Sequence, residues 1–206
     1  MRTFDCVCGA RVFFDNTRCL TCGHELGFLP DRLLLVAFEP GDGKRVTTPF
    51  GPYDKCANYA EHGVCNWLVP EAEMSELCQA CRFNRVIPDL SNPENRQLWA
   101  EVEQAKRRLV YGLNRLKLPL SPKSEDEEYG LAFDIKADTE GERVLTGHSD
   151  GLITLNLGEA DAATREKMRA SMRERYRTLL GHFRHEVGHY YFRLLVEKGG
   201  PIDDFR

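Results

Sequence analysis

The 206-residue sequence lacks any long hydrophobic run. No stretch approaches the ~18 to 20 apolar residues of a membrane-spanning helix, and the segment from Met1 to Phe14 has no apolar core of signal-peptide length. It also lacks an excess of one charge. The 28 Lys and Arg against 32 Asp and Glu give a formal net charge of −4, which excludes a global pull toward nucleic acid or anionic lipid and leaves such binding to a local patch. A third scarcity is positional: cysteine is absent after Cys81. What is present, 42% apolar and 10% aromatic residues, suffices for one or two buried cores and excludes a disordered chain. Without an export signal or a span, the expected location is the cytoplasm, with no membrane association. There, eight closely spaced cysteines are better explained as metal thiolates than as disulfides.

The distribution of cysteine divides the chain into a metal-rich front and a helix-rich back. In the front, Pro30, the run Pro40-Gly41-Asp42-Gly43 and Phe50-Gly51-Pro52 separate short apolar runs such as Leu33 to Phe38, which predicts small strands between turns. Ser91 and Glu94 have capping-box spacing, with Pro93 between them. The helix that follows has one apolar face of Leu98, Val102, Ala105, Leu109, Leu113 and Leu116, and Pro119 and Pro122 close it. Ser121 to Glu128 reads as an exposed connection. Leu131 to Ile135, Val144 to Thr146 and Leu152 to Leu157 read as strands, with hairpin chemistry around Gly151. Two helices are expected last, from about Ala160 to Arg175 and from about Arg177 to Glu197, stopped by Gly199-Gly200-Pro201. The expected segments are residues 1–28, 29–90, 91–120 and 121–206.

Cys6-x-Cys8-Gly9 and Cys19-x2-Cys22-Gly23 have the form of a zinc ribbon. Each pair grips one side of a tetrahedral ion, and the glycine after the second cysteine permits a tight turn that brings amides toward the sulfurs. Cys56, Cys65, Cys78 and Cys81 form a looser second set, with His62 able to stand in for Cys56 or Cys65 and His24 a neighbour of the first. Four thiolates leave no open position, so both ions are expected to be structural.

His185-Glu186-Val187-Gly188-His189 matches H-E-x-x-H. On a helix, residues four apart share a face, so both imidazoles can bind one catalytic zinc while Glu186 stands beside its water. The zinc acidifies that water, Glu186 takes the proton, and a peptide carbonyl is attacked. Leu179, Leu180, Phe183, Val187, Tyr190, Leu194 and Leu195 supply an apolar surface for this helix. Gly151 to Leu157 is a candidate edge strand on which an extended substrate could pair, with an ordinary sheet strand as the equal alternative.

The chain resembles a bacterial family of zinc-binding metallopeptidases that carry an amino-terminal zinc ribbon. The likeness runs through the cysteine knuckles, Cys56-Ala57-Asn58-Tyr59, Val64-Cys65-Asn66-Trp67, Asn84 to Ser91, Ala105 to Leu109, Leu145-Thr146-Gly147-His148, Gly151 to Thr154, and Tyr176 to Glu186. It implies an α+β architecture: zinc ribbons of small β structure followed by a zincin-like, gluzincin-type peptidase domain. It also implies that His185 and His189 are ligands and Glu186 the base. Family members continue into a helical segment that supplies a glutamate ligand, so the peptidase domain is expected to be truncated here. Glu197, Asp203 and Asp204 are the acidic residues after His189.

The leading expectation is therefore a zinc-dependent peptidase holding two structural zinc ions and one catalytic zinc. It would act on a peptide or protein substrate, with the ribbons as a docking surface for a protein partner. The alternative is a non-enzymatic zinc-ribbon adaptor for protein or nucleic acid, served by Lys106-Arg107-Arg108 and by Arg173, Arg175 and Arg177. Interleaved charge of this kind is more often a solvated face, which makes nucleic acid the weaker partner.

Overall fold

The computed structural model describes residues 3–198. The chain forms two compact units, Met1–Arg82 and Phe83–Arg206. Among the described residues no helix is long and apolar enough to cross a membrane.

The first unit is built from short antiparallel pieces. Strands β1 (Thr3–Asp5) and β2 (Arg11–Phe13) make one hairpin, and β3 (Glu25–Leu29) and β4 (Leu34–Phe38) a second. Strands β5 (Arg45–Thr48), β6 (Gly51–Lys55) and β7 (Leu68–Pro70) form a three-stranded sheet in that order, with a one-turn helix α1 (Ala57–Ala60) between β6 and β7. The run Leu33 to Phe38 thus forms a strand, as its composition predicts. Strands of three to five residues bury little, so the apolar core is small: Leu29, Val36, Phe38, Val46, Tyr53 and Leu68. Beside it lies an aromatic group. The Phe28 ring sits 4.9 Å from Phe14 and 4.8 Å from Trp67, and Phe4 meets Phe28 edge-on at 6.4 Å. Asn66, fully buried, donates from Nδ2 to the Phe14 carbonyl at 2.7 Å, tying the second cysteine set to the turn after β2, between the two knuckles of the first.

The second unit is a four-stranded sheet with helices. Its strands are β8 (Asn84–Val86), β9 (Ala132–Lys136), β10 (Gly147–Ser149) and β11 (Leu152–Asn156), ordered β10-β11-β9-β8. The three strands β8, β9 and β11 are parallel, and β10 returns antiparallel on β11 through Asp150-Gly151. Residues 84–86, drawn from sequence with the second cysteine set, are therefore a strand of this sheet. Val144 to Thr146 is not the strand; the hairpin arm lies at Gly147–Ser149. Strand β11 is paired on both sides, so the candidate edge is corrected: the edge next to it is β10.

Helix α2 (Pro93–Arg115) begins at Asn92, whose side chain accepts from the Glu94 amide at 3.0 Å. Ser91, the expected cap, instead bonds Asp89. The helix is buried well beyond one face. Lys106 and Glu103 have fully buried side chains and pair at 2.8 Å, and Glu103 Oε1 also accepts from Trp99 Nε1 at 3.0 Å and Asn84 Nδ2 at 2.9 Å. Lys106 donates in addition to Asn84 Oδ1 and lies over the Phe133 ring. Arg107 is 5% exposed, so the expected solvated basic face at residues 106–108 is not there. Buried charge is retained because each group has partners.

Helices α3 (Ala162–Ser171) and α4 (Leu179–Tyr191) are capped by Asp161 and Thr178, which accept from the amides of Thr164 and Gly181. Both are shorter than the sequence pattern suggests, and α4 continues as π-helical turns over Phe192–Glu197. Leu179, Phe183, Val187, Tyr190 and Tyr191 of α4 are buried, with Phe183 edge-on to Phe133 of β9 at 5.4 Å; Leu195 of the π-helical turns is exposed. The Gly199-Gly200-Pro201 stop lies outside the described residues.

Candidate functional site

The eight cysteines assemble as the spacing predicts, into two separate quartets: Cys6, Cys8, Cys19 and Cys22, and Cys56, Cys65, Cys78 and Cys81. Four thiolates about 2.3 Å from one zinc stand about 3.8 Å from one another. The sulfur separations are 3.5 Å for Cys6 and Cys22, 3.8 Å for Cys8 and Cys19, 3.7 Å for Cys65 and Cys78, and 3.8 Å for Cys65 and Cys81. Both donor sets therefore fit a tetrahedral zinc. Gly9 and Gly23 have φ of 82° and 81°, a region costly for other residues, and these turns close each knuckle. The amides of Cys22 and Thr21 point at the Cys19 sulfur and bring its pKa down to about 6. In the second set, the Cys78 amide donates to Cys56 Sγ at 3.3 Å and the Trp67 amide to Cys65 Sγ at 3.4 Å. Burial pushes the Cys78 thiol well up, an effect that a divalent cation offsets. His24 is not a ligand: its Nε2 lies 3.0 Å from Glu39.

The second candidate site is on α4. One helical turn places His185 Nε2 and His189 Nε2 3.2 Å apart, with their rings edge-to-face. Two imidazoles on one tetrahedral zinc would bring these atoms to about 3.3 Å, so the pair fits the ion. Both residues are exposed, while Glu186 is half-buried. An open cleft of about 450 Å³ is lined by His185 and Glu186 together with Thr146, Arg177 and His182. Among the described residues, no third histidine, cysteine or carboxylate completes a ligand group with His185 and His189. Of the acidic residues after His189, Glu197 is an exposed residue of the last π turn, and Asp203 and Asp204 lie outside the described residues.

Two neighbours were not singled out by sequence reasoning as site residues. His148, on the edge strand β10, stacks its ring on that of His189 with centroids 6.3 Å apart. Its Nε2 accepts from the Gly151 amide at 3.0 Å, which places the proton of the neutral ring on Nδ1. Burial, aided by His189, holds its pKa below the usual histidine value. Glu159 is the other. It is 3% exposed and gathers three side chains: His182 Nδ1 at 2.5 Å, Thr146 Oγ1 at 2.6 Å and Arg177 Nη2 at 3.3 Å. Burial would raise its carboxyl, but the bonds from His182 and Thr146 and the charge of Arg177 outweigh it and keep the pKa low. Because Nδ1 of His182 is engaged, Nε2 is the ring nitrogen left to accept at the cleft. No local pattern marks Glu159; only the turn after β11 brings it under α4.

Tyr190 and Tyr191 donate to the carbonyls of Tyr129 and Pro119, at 2.8 and 3.0 Å, so their hydroxyls are committed to packing. Of the basic residues named for an adaptor surface, Arg177 is tied to Glu159 and Glu174, and Lys106 and Arg107 are buried.

Residues 95–206 match the family described as "Putative zinc-binding metallo-peptidase", and residues 3–92 match a zinc-ribbon domain. An uncharacterized protein of Mycobacterium bovis and its counterparts in two strains of Mycobacterium tuberculosis are 43% identical over 198 residues, covering 95% of this chain and 54% of each relative. The chain thus spans about half the length of the curated relatives it matches. No solved structure matches it.

Proposed function

Because the chain belongs to this zinc-binding metallo-peptidase family, with a zinc ribbon in front, we propose that it contributes the catalytic helix of a zinc-dependent hydrolase of peptide bonds. The observation that carries the reading is the convergence of His185 and His189 at 3.2 Å, with Glu186 lining the adjoining cleft. A zinc ion bound there would supply Lewis acidity toward water and a scissile carbonyl. His185 and His189 would hold it through their ring nitrogens. Glu186, offset by one residue on the same helix, takes the proton from water and returns it to the leaving amine, so water adds across the peptide bond with no net proton change. Among the described residues strand β10 has no partner on its outer side, and this edge beside α4 is where an extended peptide could lie. Glu159 holds His182, Thr146 and Arg177 as the wall of the cleft.

The test is turnover of a peptide library by the zinc-loaded protein and by Glu186→Gln. Loss of cleavage in the variant, with zinc content retained, supports the proposal; equal cleavage by both refutes the assigned role of Glu186. The adaptor reading draws its support from the absence of a complete ligand triad among the described residues. It predicts that partner binding through the ribbons survives His185→Ala unchanged.

A further inference from the structure

The two cysteine quartets differ in one respect that their spacing does not reveal. All four cysteines of the second set are buried, at 0 to 1% exposure. In the first, Cys6 and Cys19 are buried but Cys8 and Cys22 are exposed, and the knuckle between Cys19 and Cys22 carries Leu20 at 98% exposure. Each exposed cysteine also has a buried one as its close neighbour: Cys22 with Cys6 at 3.5 Å, and Cys8 with Cys19 at 3.8 Å.

We propose that the first zinc-ribbon site is an oxidation site, at which a peroxide-class oxidant converts Cys8 and Cys22 into disulfides with Cys19 and Cys6 and expels the zinc, while the second site stays reduced. Thiolate is the reactive form of cysteine, zinc ligation keeps it deprotonated, and access then selects the sulfur that reacts. The exposed thiolate attacks one peroxide oxygen and breaks the O–O bond, giving a sulfenic acid and, with one proton, water. The buried neighbour's thiolate attacks that sulfur, and the sulfenic oxygen leaves with a second proton as water. Two thiolates, one hydrogen peroxide and two protons thus become one disulfide and two waters, the two electrons passing from sulfur to oxygen. A disulfide is a poor ligand, so zinc departs. The second quartet has no exposed sulfur, and oxidising it requires a local opening of the unit first. Strands β1 and β2 are three residues each and depend on the ion, whereas Phe14, Phe28 and Trp67 remain packed with the second site. The consequence is local loosening of the ribbon tip without loss of the unit.

The experiment treats the full zinc-loaded chain with hydrogen peroxide, follows released zinc with a chelating dye, and maps thiols and disulfides by mass spectrometry at each time. The expected result is release of one zinc with Cys6–Cys22 and Cys8–Cys19 disulfides, reversed by dithiothreitol and zinc. Cys56, Cys65, Cys78 and Cys81 should oxidise at least about tenfold more slowly. Equal oxidation of both quartets, earlier oxidation of the second, or an unoxidised first set overturns the proposal. Disulfides within Cys6-x-Cys8 or Cys19-x2-Cys22 overturn the assigned pairing.

Discussion

Replacing Lys106 by methionine should destabilise the second unit strongly, although lysine at a helical position usually tolerates exchange. The change takes from the Glu103 carboxylate, at 0% exposure, the lysine that pairs with it at 2.8 Å. Removing one member of a fully buried ion pair costs on the order of 3–5 kcal/mol, because the other member stays charged and out of water. With a urea dependence of about 2 kcal/mol per molar, the midpoint falls by about 2 M. Trp99 touches the pair and Trp67 lies in the first unit, and these are the two tryptophans of the chain. Fluorescence of a Trp67→Phe background therefore reports the second unit alone. The double variant Lys106→Met with Glu103→Gln should recover part of the loss, since neither member of the pair is then charged. A single-variant cost below about 1 kcal/mol, the range of exposed pairs, would refute the reasoning.

Glu159→Gln should lower stability at neutral pH by about 1–3 kcal/mol through loss of a charge-assisted network. Since the folded carboxyl titrates below its unfolded value, that stabilisation is present above the unfolded pKa and disappears as pH falls through the folded one. Thermal melts against pH should therefore show the two proteins converging in acid; a constant gap would contradict the assignment. Cys78→Ser, in the sealed quartet, should unfold the first unit and shift Trp67 emission to the red, because a core this small depends on its ion. An unchanged emission maximum would show that the apolar cluster suffices. Asn92→Ala should cost about 1 kcal/mol by removing the cap of α2, and Ser91→Ala much less. The reverse order in chemical denaturation would restore the capping-box reading.

Short-range patterns were legible in the sequence, because ligand spacing and helical periodicity act within a few residues. The knuckles at Cys6 to Cys22, the strand at Leu34–Phe38 and the convergence of His185 with His189 all follow from local geometry. What was not legible depends on the sheet. Lys106 reads as a surface lysine until β8 and β9 supply Asn84 and Phe133 around it. Strand β11 resembles an edge until its parallel partner β9, twenty residues upstream by register, closes its other side. Glu159 has no signature at all, since its partners come from two distant stretches, Thr146 and the run from Arg177 to His182. The loose second quartet was the opposite case: Cys56 and Cys65 are far apart for a knuckle, yet α1 and the turn to β7 return the chain to Cys78 and Cys81.

Zinc stoichiometry tests the proposed site on α4 most directly. Metal analysis of the protein after dialysis against zinc should give one ion beyond the two held by cysteine. That ion should be lost in His185→Ala and in His189→Ala and kept in Glu186→Gln. A zinc content unchanged by either histidine substitution would show that these imidazoles hold no metal, and would leave the helix as scaffold.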